Sequence, residues 1–251
     1  MLPIALDLTQ SAATYAEVSG LLAGFGITLL VLLIDGSSPT EEGLPPLRQS
    51  AVPLIAILIL MNGAATIMWG YIAGSGQATG SKLGTMAYLS GFVSTLSVVV
   101  AVTGIQIIIP SAHYQVRLLR TTFVAAVALL NLLGITLATF LLLGAQMGHT
   151  TMTQTIDTFG GFAAALTGTM LVIIMVGLGL GISTPYRERG LNSPRVFVAY
   201  CILLLVTITA ISLGFGVTAF SQTVHIAGPV IVAINLVWAL FTGWSAVFLP
   251  G

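Results

Sequence analysis

Apolar residues gather in seven long runs, at roughly 12–34, 51–74, 83–109, 121–146, 158–183, 195–220 and 227–249, separated by short segments richer in Gly, Pro, Ser and charge. A helix crossing the hydrocarbon of a bilayer needs about 20 mostly apolar residues and bonds its own backbone internally. Each run meets that length. Strands of a membrane barrel would alternate polar and apolar residues over about 10 positions, and these runs do not. Pro39, Pro45, Pro46, Pro53, Pro110, Pro185, Pro194, Pro229 and Pro250 fall in the connections or near run ends, where the missing N–H does least harm. The pattern predicts an all-α integral membrane protein, a bundle of seven transmembrane helices forming one transmembrane domain over residues 1–251, with no soluble domain.

Composition strengthens this expectation. Only 6% of the 251 residues are charged and 57% are hydrophobic, whereas a soluble domain carries about a quarter of its residues as charge. Seven basic and seven acidic side chains cancel, and no Lys/Arg cluster exists to neutralise phosphates, so nucleic acid is excluded as a partner. Arg48, Arg117, Arg120, Arg187, Arg189 and Arg195 fall between runs one and two, three and four, and five and six. Only Lys82 falls in the opposite set of connections. The positive-inside rule then puts the N-terminus outside and the C-terminus in the cytoplasm. Met1 to Gln10 is too short and uncharged at its start for a classical signal peptide, so the first span is expected to act as the insertion signal and remain. The expected location is a prokaryotic plasma (inner) membrane. The single Cys201 allows no intrachain disulfide.

Small residues recur at helical spacing inside the runs. Ala87, Ser90, Ser94, Ser97, Ala101 and Gly104 form one face of the third, which is therefore expected to be central. Gly63, Thr66, Gly70 and Ala73 repeat the rhythm in the second run, Gly161, Ala165 and Gly168 in the fifth, and Thr207, Ala210 and Gly214 in the sixth. Glu17, Gly20, Gly24 and Thr28 make a stripe on the first, which Asp35 continues. Helices in lipid associate by close approach at such residues, so tight packing is the bland interpretation and a narrow hydroxyl-lined path the functional one.

Polar residues within the runs are few. Glu17 is expected about one turn into the membrane, facing the bundle or an outer vestibule. Its alternative role is a first-turn acid favoured by the helix dipole, and Asp157 holds the same kind of position. Asn62, Asn131 and Asn235 fall near the middles of the second, fourth and seventh runs, and Gln106 near the inner end of the third. These amides serve either as interhelical clamps or as the lining of a hydrated cavity.

Absences narrow the chemistry. No run contains the Lys of a retinal Schiff base, no acid–Arg pair ends the third as in G-protein-coupled receptors, and His113, His149 and His225 lie in connections, away from any mid-membrane haem. No hydrolase, metalloprotease or phosphate-loop motif is present. The sequence therefore points away from an enzyme and implies no cofactor or metal. The leading expectation is a small channel or permeation pathway, cation-preferring through Glu17. The alternative is a membrane-embedded subunit or scaffold of a larger complex, followed by a seven-helix receptor or sensor. The expected partners are the lipid bilayer and either further copies of the chain or other membrane proteins.

Overall fold

A computed structural model describes residues 8–35, 46–75, 80–108, 114–183, 194–219 and 225–247. These hold seven helices: α1 (Leu8–Asp35), α2 (Pro46–Gly74), α3 (Ser81–Ile108), α4 (Tyr114–Met147), α5 (Met152–Ser183), α6 (Pro194–Ala219) and α7 (Gly228–Val247). Five contain stretches long and apolar enough to cross a membrane: Thr9–Leu32, Val52–Gly74, Ser81–Gly104, Thr122–Met147 and Met152–Leu180. Shorter apolar stretches, Leu204–Val217 and Gly228–Gly243, lie in α6 and α7.

Helices α1 to α6 start earlier than their apolar runs because local signals, not hydropathy, set their ends. Pro46 and Pro194 occupy the first positions of α2 and α6, where a missing N–H is harmless and a fixed φ suits the helix. The early start of α2 places Pro53 inside the helix rather than at its edge. The α4–α5 turn is specified almost residue by residue. Gly148 adopts a φ of 70°, its N–H reaches Ala145 O, and the His149 N–H reaches Gly144 O at 2.9 Å, the paired closure of a Schellman motif. Thr151 then caps α5. Its Oγ1 accepts from the Gln154 N–H at 3.4 Å, while Gln154 Oε1 accepts from the Thr151 N–H at 3.3 Å, a reciprocal capping box. That box carries α5 back to Met152 through residues too polar to register as part of an apolar run.

Helix α3 is the centre of the bundle, as its small face implied. It packs against α1, α2, α4, α6 and α7, and 83% of its apolar stretch is buried. The remaining helices form two flanks. On one side α2 carries α1 and touches α6; on the other α4, α5 and α7 pack together. Among the described residues the flanks meet only through α3. Helix α1 lies outermost on its flank, with 11% of its stretch buried.

The closest helix approaches use glycines that spacing alone did not single out. A Cβ on Gly84 would collide with Ala145, one on Gly91 would stand 3.0 Å from Ala138, and one on Gly134 3.3 Å from Thr95. These three pairs form one antiparallel α3–α4 seam in which each glycine admits the neighbouring backbone. Gly177 of α5 and Gly243 of α7 touch backbone to backbone. Conversely, a Cβ on Gly24, Gly63, Gly70, Gly161 or Gly168 would meet nothing within 4 Å. Periodicity identifies a small face but not the neighbour opposite it. Gly214 lies in α6, but its side-chain position is outside the described residues.

Candidate functional site

The polar groups of the helix centres resolve into two buried clamps. Asn62 is fully buried on α2. Its Nδ2 donates to Leu58 O at 2.9 Å, and its Oδ1 faces the Ser97 hydroxyl of α3 at 3.1 Å. The single Ser97 proton also has Ser94 O at 2.7 Å. One turn away, Trp69 Nε1 donates to Ser94 Oγ at 3.2 Å, and the Tyr15 ring of α1 stacks on Trp69 with centroids 5.0 Å apart. The α3 small face therefore packs on α2. Ser90 is buried and bonds Met86 O, a Cβ on Gly104 would touch Leu54 at 3.8 Å, and Ala101 is half-buried.

The second clamp joins three helices. Asn235 of α7 donates through Nδ2 to the Tyr88 hydroxyl of α3 at 2.8 Å and to Ile231 O at 2.9 Å, while its Oδ1 accepts from Thr139 Oγ1 of α4 at 3.3 Å. Asn235 and Tyr88 are both 0% exposed. Thr136 and Thr167 hydroxyls, 3.0 Å apart, tie α4 to α5 nearby. Asn131 Nδ2 and Trp238 Nε1 are buried without an acceptor among the described residues. Gln106 lies in α3, but its side chain is outside the described residues. Thus Asn62 and Asn235 bond separate sets of partners on different faces of α3, and no hydrogen bond joins them or Asn131 to one another.

Glu17 is placed differently from the expectation. Since α1 begins at Leu8, Glu17 lies in its third turn, and the first turn holds no acid; the dipole explanation fails because that effect fades within one turn. Helix register fixes its depth. A Cβ on Gly20 would meet Thr66 and one on Gly26 would meet Ile59, so Glu17 is level with Met68 and Trp69 of α2. Asn62 pairs with Ser97 and Leu54 with Gly104, so that level corresponds to about Ser90 of α3. On α2, Met68 and Trp69 lie about 8 Å from the middle of the apolar stretch Val52–Gly74, toward its Gly74 end. Glu17 therefore sits inside the apolar stretch Thr9–Leu32 of α1, on the N-terminal side of its middle.

It also faces outward. Glu17 is exposed on the side of α1 opposite the buried Ala12, Ser19 and Gly26. An open groove on this face is lined by Glu17, Gly20, Leu21, Gly24, Phe25 and Thr28, all from α1. Leu21 and Phe25 are 74% and 63% exposed. The expected stripe exists, but it looks away from the bundle. No hydrogen bond or ion pair to Glu17 occurs among the described residues. Asp157 is likewise exposed, in the second turn of α5. The sequence signal that could have separated these stripes is the composition of the opposite face. Ala12, Ala16, Ser19 and Ala23 already give α1 a small face for α2, leaving Gly24 and Thr28 surplus.

No protein-family model, curated protein or solved structure matches the chain, so function rests on this geometry.

Proposed function

We propose that this chain is an integral subunit of a larger membrane assembly, crossing a plasma membrane seven times with its N-terminus outside, and that α1 receives a transmembrane helix on its outward face. The observation that carries this reading is the exposed carboxylate of Glu17 inside the apolar stretch of α1. A charged group within a transmembrane helix is costly, up to about 2.5–3.5 kcal/mol at the helix centre on insertion scales, so such groups face protein or water rather than acyl chains. Beside it, Gly24 has nothing within 4 Å of where a Cβ would stand, an open small position that admits a second backbone closely. The six-to-one division of basic residues supports the orientation. Absence of a catalytic motif in the sequence supports a non-enzymatic role.

A pore within one copy is the weaker reading, because Asn62, Ser97 and Asn235 are used as clamps. A second reading keeps a specific observation: Thr14, Glu17 and Thr28 are all exposed on α1, so α1 helices from several copies would line a shared cation path. Leu21 and Phe25 project from the same face and would narrow it. Reconstitution of the purified chain in liposomes separates the two. The subunit reading expects no cation flux, and flux that Glu17→Gln reduces would replace it with the shared pore.

A further inference from the structure

We draw no further inference here: the strongest candidate, the cavity of about 10 Å³ between α3, α4 and α7 one helical turn from the buried Asn131 amide, is walled mainly by valine side chains and not by Asn131, so nothing in the structure aims that amide into it.

Discussion

Asn235 of α7 donates to the Tyr88 hydroxyl of α3 at 2.8 Å, a bond between residues that are both fully buried. With Thr139 accepted on the other side of the same amide, one side chain fastens α7 to both α3 and α4. Because each partner also has a backbone acceptor, Thr139 with Ile135 O of its own helix and Tyr88 with Ile231 O of α7, loss of the amide does not orphan them. Asn235→Leu should therefore cost about 0.6–2 kcal/mol rather than unfold the protein. A double-mutant cycle with Tyr88→Phe, read by denaturation in mixed micelles, should give a favourable coupling, and additive effects would show that the bond contributes nothing.

The α3–α4 seam makes a sharper contrast. Gly91→Leu places a side chain where Ala138 already stands and should destabilise by about 1–3 kcal/mol, whereas Gly70→Leu projects into open space and should change stability by less than about 0.5 kcal/mol. Equal effects at the two positions would contradict the seam.

Ser94 tests the α2–α3 face. Ser94→Leu removes the acceptor of Trp69 Nε1 and adds bulk between the helices, so its midpoint of thermal unfolding in detergent should fall. Ser94→Ala should fall by a smaller amount, since only the hydrogen bond is lost. An unchanged midpoint for Ser94→Leu would mean that the face is not packed.

Much of this architecture was legible beforehand, and the reasons differ by element. Helix class and approximate number followed from run length, and the centrality of α3 from Ser90, Ser94 and Ser97 on one face. Those signals depend only on a residue's own helix. The contacts that join helices depend on register across the bundle, which one chain's periodicity does not contain. Hence the close approaches fall at Gly84, Gly91 and Gly177, while Gly63 and Gly161, at the same kind of spacing, face open space. The amides are visible in the sequence as polar interruptions, but nothing in the spacing of Tyr88 and Thr139 marks them as the partners of Asn235. Glu17 was visible as a charge. Its depth and direction required the true start of α1 and the pairing of Gly20 with Thr66.

Orientation is tested independently of packing. In right-side-out membranes, an impermeant thiol reagent should label a cysteine introduced at Ser75, after α2, and leave one at Ser193, before α6, unmodified. Labelling of Ser193→Cys alone would invert the topology.

The central claim is that the outward face of α1 is covered by protein in the native membrane. A photo-crosslinking amino acid introduced singly at Leu21, Gly24, Phe25 and Thr28, with Leu130 and Leu133 of α4 as exposed controls, reads this directly. The account predicts a protein adduct of one recurring mass at the α1 positions, lost in a Glu17→Gln background, and lipid adducts alone at Leu130 and Leu133. Lipid adducts alone at all six positions would contradict it.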